Sequence, residues 1–201
     1  MGRPERDTFR RAAMTELGNG LFNAEHDNDS LTVREAELAM LRRFGASEHD
    51  MLFVQANLAS TYEQLGRVEE ALRIRQEVYS GHLKLNGEEY IETIRAALNY
   101  AASLNNLKRF EEAKPVLLKT IPVVRRVIGD SDALALRVRI VYGIALYEDS
   151  AATLDDLREA AETLEEIERT GRRVLGSRNP VVVEIEKALR RSQAVLGAHE
   201  A

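Results

Sequence analysis

The sequence predicts an all-α fold, an α-solenoid of antiparallel helix pairs closed by a C-terminal capping helix. Three observations carry this expectation. Glycines recur at Gly45, Gly87 and Gly129, each 42 residues after the last, and Gly176 follows after 47. Short motifs keep the same register: Asn57-Leu58-Ala59 returns as Asn99-Tyr100-Ala101, and more loosely as Val141-Tyr142-Gly143. Apolar residues inside each unit fall at three- and four-residue spacing, and no stretch alternates with period two, so helices are expected and sheet is not.

Taken along the chain, a first helix is expected near residues 5–24, then a polar loop at 26–30 and a helix at 31–44. Residues 1–30 thus form an imperfect first unit ahead of a regular array over 31–196. The pair 48–65 with 68–85 follows. Leu58, Tyr62 and Leu65 make the apolar stripe of its first helix, Gly66 marks the turn, and Ala71, Ile74 and Val78 face inward from the second. The next pair, 89–106 with 110–127, carries Ala97, Tyr100, Leu104 and Leu107, a turn at Asn105-Asn106 with Lys108, and then Ala113, Val116, Leu117, Val124 and Val127. In it Pro115 falls in the first turns of its helix, where a missing N–H is tolerable. Pro122 lies deeper and should bend the helix or interrupt one hydrogen bond. A third pair is expected at 133–147 with 155–175, lengthened by about five residues around Glu148 to Thr153. A capping helix at 180–196 and a tail at 197–201 complete the chain.

The repeated glycines have a structural reason: each follows a helix, where a left-handed residue closes the C-terminus at little steric cost. Ala59, Ala71, Ala101, Ala113 and Gly143 are small where two helix axes must approach. The pairs Arg42-Arg43, Arg125-Arg126 and Arg172-Arg173 suit the negative end of a helix dipole. Glu69-Glu70, Glu111-Glu112, Asp155-Asp156 and Glu165-Glu166 suit helix starts or solvated faces better than acid–base chemistry.

Composition narrows the function. A formal net charge of −5 argues against non-specific binding to nucleic acid, which needs a basic footprint. With no cysteine, disulfides, thiolate metal sites and cysteine nucleophiles are excluded. The four histidines at 26, 49, 82 and 199 have no partner at ligand spacing, and no phosphate-cradling glycine loop or serine elbow is present. No enzyme activity, cofactor or metal is therefore expected. The charged start, Met1-Gly2-Arg3-Pro4-Glu5-Arg6, lacks the apolar core of a signal peptide, and no run is long enough to span a bilayer. The expectation is a cytoplasmic protein without membrane or nucleic-acid partners.

The pattern Asn57-Leu58-Ala59-x-x-Tyr62-x-x-x-Gly66-x-Val68-x-x-Ala71 resembles a tetratricopeptide repeat. The 42-residue spacing and Leu175-Gly176-Ser177-Arg178-Asn179-Pro180 are similar to the longer repeats of kinesin light chains. The resemblance covers roughly residues 30–196. Departures are Val141 in place of the first-helix asparagine, Leu104 and Leu146 in place of tyrosine, and no proline in Asp130 to Ala133. The resemblance implies a right-handed superhelix whose first helices line a concave groove.

Groove positions carried over from that resemblance select Asn57, Ser60 and Gln64, with Phe53, Ala56 and Glu63 beside them. The next unit supplies Arg95, Asn99, Asn105 and Asn106, and the following one Arg137 and Tyr147. Arg95, Asn99, Ala102 and Asn106 lie at i, i+4, i+7 and i+11, hence on one helix face. Asparagine offers donor and acceptor to any peptide backbone, and arginine forks onto carboxylates. Asn57 and Asn99 could equally bridge neighbouring helices. The expected function is a scaffold whose groove binds a peptide segment of a partner protein. The alternatives are a self-associating module, with an apolar last helix as the homodimer surface (Val181, Val182, Val183, Ile185, Leu189, Val195, Leu196), or the recognition arm of a larger enzyme or signalling assembly.

Overall fold

The computed structural model describes the backbone of residues 4–200 and the side chains of residues 9–200. Of the charged start, Met1, Gly2 and Arg3 lie outside the described residues, as does Ala201 at the other end. Every regular element described is an α-helix, and the fold is an all-α helical repeat. The chain divides into two compact units, Met1–Leu85 and Asn86–Ala201.

The first unit comprises α1 (Pro4–Asn23), α2 (Asp27–Phe44), α3 (Glu48–Gln64) and α4 (Val68–Asn86, whose last residue falls in the second unit). Its main core joins Leu38 and Leu41 of α2 to Val54, Leu58, Ala59 and Tyr62 of α3 and Ala71 of α4. Ala59 and Ala71 are buried, and a Cβ added at Gly81 of α4 would press on the Leu52 side chain of α3. Small residues thus set the helix spacing, as their recurrence implies.

The α1–α2 interface is polar instead. Arg34 and Glu37 of α2 are buried there; Arg34 reaches the Asn19 side chain at 3.1 Å, and Glu37 accepts a short hydrogen bond from Thr15. Burial is the main cause of both their shifts, holding the Glu37 carboxyl above and the Arg34 guanidinium below the usual range. This interface also corrects the expected loop at 26–30. Helix α2 begins at Asp27, because Ser30 is fully buried and its hydroxyl donates to the Gly18 carbonyl at 3.0 Å. A contact of that kind requires helical register at Ser30. The turn shrinks to three residues, and Glu25 takes a left-handed φ of 60° to make it.

The second unit comprises α5 (Ile91–Asn106), α6 (Phe110–Ile128), α7 (Ala133–Tyr147), α8 (Leu154–Leu175) and α9 (Pro180–Glu200). Helix α7 packs against α5, α6, α8 and α9. That position explains its composition: Leu134, Leu136, Val138, Ile140 and Leu146 are all buried, on more than one face. Closest approach to α8 is at Gly143, where an added Cβ would sit 3.0 Å from Leu164 Cγ. Helix α6 runs unbroken through Pro115 and Pro122. Pro122 and Leu118, four residues before it, are both exposed, so the carbonyl freed by the missing N–H faces solvent and the expected interruption is harmless. Helix α9 corrects the expected tail: it continues to Glu200, whose carboxylate accepts from Arg158 of α8 at 3.0 Å.

The motif that repeats as Arg67-x-x-Glu70 and Arg109-x-x-Glu112 is one structural device used twice. Arg67 Nε and Nη2 donate to Glu70 at 2.7 and 2.5 Å, and Arg109 does the same to Glu112 at 2.7 and 2.8 Å. Each fork clips the first turn of the second helix in its pair and holds the glutamate below the usual carboxylate range. Arg67 also stacks on the Tyr62 ring, 4.3 Å from its centroid.

The α7–α8 turn is tied by two carboxylates. Asp149 accepts from Lys114 at 2.8 Å and from the Ala151 N–H at 2.9 Å. Asp156 and Thr153 form a reciprocal capping box at the start of α8. Lys114 lowers the Asp149 pKa, and the Thr153 hydroxyl and N–H lower that of Asp156. Because the folded values lie below the unfolded one of about 4, this stabilisation is present above that pH and is lost as acid drives it through the folded values. Urea midpoints should therefore fall on acidification below about pH 4, and Asp149→Asn should fall less steeply. Parallel curves for the two proteins would contradict the assignment.

Candidate peptide-binding face

Helix α5 is two-sided. Ile94, Ala97, Ala101 and Leu104 are buried, whereas Arg95, Asn99 and Asn106 are exposed and Ala102 is half-buried. The i, i+4, i+7, i+11 spacing therefore does place one mainly polar row on the open side. Next to it, α7 offers Arg137, exposed, with Val141 and Ile144 half-buried, while Ile140 points into the core. On the far side of α7 stands α9, and Arg137 Nε lies 4.0 Å from the Glu184 carboxylate there. Arg95 has a similarly loose neighbour, Glu92 of its own helix at 3.4 Å. The two arginine side chains are 58% and 52% exposed. Ion pairs this open contribute little and exchange readily for a better carboxylate.

Two residues expected to line a groove have other positions. Asn105 is buried, and its Nδ2 donates to the Val141 carbonyl at 2.8 Å, joining α5 to α7. Asn105 thus bridges two helices, onto the main chain of the residue that occupies the Asn57/Asn99 register. Tyr147 is also buried; burial and then Glu148 raise the pKa of its hydroxyl, while Arg191 opposes them. Neither side chain offers much surface to a peptide.

Asn57, Ser60 and Gln64 belong to the first unit, on α3. Gln64 is exposed at the end of the helix, and Asn57 and Ser60 are half-buried. The Ser60 hydroxyl donates back to the Ala56 carbonyl at 3.3 Å, a local bond that leaves it less to offer a ligand. Beside them Phe53 is 51% exposed, whereas Glu63 is held by Arg75 of α4 at 2.5 Å.

Several polar side chains that organise the second unit escaped the sequence reading. Arg139 of α7 is buried and forks onto Glu166 of α8 at 3.2 and 2.6 Å. The Tyr142 hydroxyl donates to Glu159 at 2.8 Å, and burial, reinforced by that carboxylate, pushes its pKa up. A signal for Arg139 existed: it is a charge set within the apolar run Leu134 to Leu146. Among the described residues, no helix is long and apolar enough to cross a membrane.

No protein-family model and no curated protein sequence matches the chain. Solved structures do. A Podosopora anserina protein of kinesin light chain type, built from nearly identical TPR-like repeats, superposes with a TM-score of 0.80 at 19% identity, over 95% of this chain and 88% of that one. BtubC (BKLC) from P. vanneervenii superposes with a TM-score of 0.65 at 14% identity, over 98% of this chain and 85% of that one. A MamA variant, RS-1, gives 0.55 at 13% identity over 95% and 97%. At these identities the likeness is one of fold, and the fold is that of TPR-like repeats.

Proposed function

We propose that the chain is a protein-interaction module and that the α5–α7–α9 face of its second unit binds an extended peptide segment of a partner. TPR-like repeat folds generally mediate protein–protein contacts and are typically not enzymes. The observation that carries the finer reading is the exposed row Arg95, Asn99 and Asn106 beside Arg137, on a unit whose other α5 and α7 positions are largely buried. Asparagine amides match peptide N–H and C=O groups whatever the side chains, and the two arginines favour a segment that includes carboxylates. Of the corresponding α3 positions in the first unit, Gln64 is exposed and Asn57 and Ser60 are half-buried.

The test is quantitative capture of a partner from the native source, followed by titration with its purified segment. The double variant Arg95→Ala/Asn99→Ala should weaken binding at least about tenfold, with unchanged circular dichroism. Binding should also weaken with added salt, since both arginines are solvent-screened. Equal affinity of variant and wild type would remove this face from the proposal.

The self-association reading keeps part of its apolar surface. Val181, Val182 and Ile185 of α9 are buried within the chain, where an added Cβ at Gly171 of α8 would touch Val182 and Ile185. Leu189, Val195 and Leu196 remain partly exposed, and Val183 about half exposed.

A further inference from the structure

The lengthened α7–α8 turn does more than join two helices. Glu148, Asp149 and Ser150, residues of the five-residue expansion, form one wall of a cavity of about 670 Å³. The rest of the wall comes from the α5–α6 turn and start of α6, through Lys108 and Phe110, and from α9, through Arg191 and Val195. The space is open to solvent, with Lys108, Glu148, Ser150, Arg191 and Ala194 of its lining exposed, and is large enough for a small organic molecule.

Lys108 adds a second, independent observation. Its φ is +58°, a left-handed conformation that L side chains adopt at a cost. The equivalent residue one repeat earlier is Gly66, with φ +74°. The two turns share their hydrogen bonds. Gly66 and Lys108 donate to the carbonyl three residues back at 3.0 and 2.9 Å, and Arg67 and Arg109 to the carbonyl five residues back at 2.8 Å each. Glycine therefore satisfies this turn with less strain than lysine does. Glu25 carries the same left-handed φ at the α1–α2 turn; what sets Lys108 apart is that it lines a cavity, where contact with a ligand would offset the strain.

The charges indicate which ligand. Lys108 has no ion-pair partner among the described residues. Arg191 lies 3.8 Å from Glu148 and beside the Tyr147 hydroxyl, with its side chain 59% exposed. Asp149 is already neutralised by Lys114 at 2.8 Å. Lys114 also touches Glu111, but that carboxylate is 80% exposed and screened by water. Two cations therefore face the space against the single charge of Glu148, a balance that favours one negative charge and disfavours two. Apolar surface comes from Ala194 and Val195, with the buried Phe110 and Tyr147 contributing only their edges to the lining.

We propose that this cavity binds a small organic monocarboxylate with an apolar body, its carboxylate held by Lys108 and Arg191. Its lining shares no residue with the Arg95, Asn99, Asn106 and Arg137 row, and the proposal does not depend on the peptide-binding reading.

The full chain, isotope-labelled, is titrated with 3-phenylpropionate and followed by amide NMR. Saturable shifts are expected at residues 108–110, 147–150 and 191–195, with Kd at or below about 10 mM. The neutral alcohol 3-phenylpropanol and the dianion phenyl phosphate should each bind at least about fivefold more weakly. Lys108→Gly should lose at least about fivefold in affinity while melting about 2–4 °C higher, because the turn is relieved. Lys108→Arg should keep the affinity, and Arg95→Ala/Asn99→Ala should leave it unchanged. Shifts that do not saturate or that map elsewhere would overturn the proposal. So would a Lys108→Gly variant that binds as well as wild type or melts lower, or a preference for the phosphate.

Discussion

Glu166→Ala is expected to lower stability by about 2–3 kcal/mol, whereas Arg139→Met, which removes the other half of the same pair, should be close to neutral. The asymmetry follows from burial. The Arg139 side chain is 6% exposed and Glu166 54% exposed, although they share two hydrogen bonds. Without Glu166, a guanidinium is stranded between α7 and α8 with its principal acceptor gone. Without Arg139, the carboxylate returns to water, and a methionine fills much of the vacated volume with apolar atoms. The Glu166 figure falls below the roughly 3–5 kcal/mol of fully buried pairs because that carboxylate is half in solvent. Urea denaturation at neutral pH measures both; a larger loss for Arg139→Met than for Glu166→Ala would show that the pair, and not the unpaired charge, dominates.

Gly176→Val is expected to cost a further 2–3 kcal/mol or so, although no atom stands in the way of a side chain. Gly176 has φ +82° and ψ 152°, and nothing lies within 4 Å of where its Cβ would be. The penalty is therefore the backbone's own, since that region belongs almost only to glycine. Gly45 makes the contrast. It closes α2 at φ 63° and ψ 40°, an ordinary left-handed conformation that asparagine tolerates. Gly45→Asn should cost under about 1 kcal/mol, and Gly176→Asn clearly more. Thermal melts of the two asparagine variants decide it, and equal shifts would refute the distinction. The 42-residue period thus conceals two kinds of helix closure. Gly129, with φ 87° and ψ 163°, belongs with Gly176.

Much of this was legible beforehand. The recurrence of Ala71 and Ala113 sixteen residues before a glycine pointed to close helix packing, and both alanines are buried. The row Arg95, Asn99 and Asn106 was readable because a helix turns by a constant angle per residue, and the structure puts all three on an exposed face. The fate of Asn105 was not readable. It is adjacent to Asn106 and of the same type, yet one step of about 100° turns it into the α5–α7 interface. Whether a polar side chain there meets solvent or a neighbouring carbonyl depends on where the neighbour lies.

The same holds for Lys108. Its place in the register shows that a turn is there, whereas its left-handed φ and its position beside a cavity emerge only with α7 and α9 in place. The loop expected at 26–30 failed for a related reason. A run of Asp, Asn and Ser favours turns when considered locally, but the burial of Ser30 against α1 makes it helical.

What the sequence alone determined is the repeat: helices, their pairing, their turns and their small contact residues. These follow from periodicity and backbone stereochemistry, which act over one or two turns of chain. Tertiary structure alone decided which polar residues became buried ties, as Asn105, Arg139 and Tyr142 did. It likewise decided which stayed open to a partner, and that five extra residues between α7 and α8 would border a cavity. Those outcomes depend on desolvation and on contacts between residues 15 to 45 or so positions apart, which no local pattern encodes.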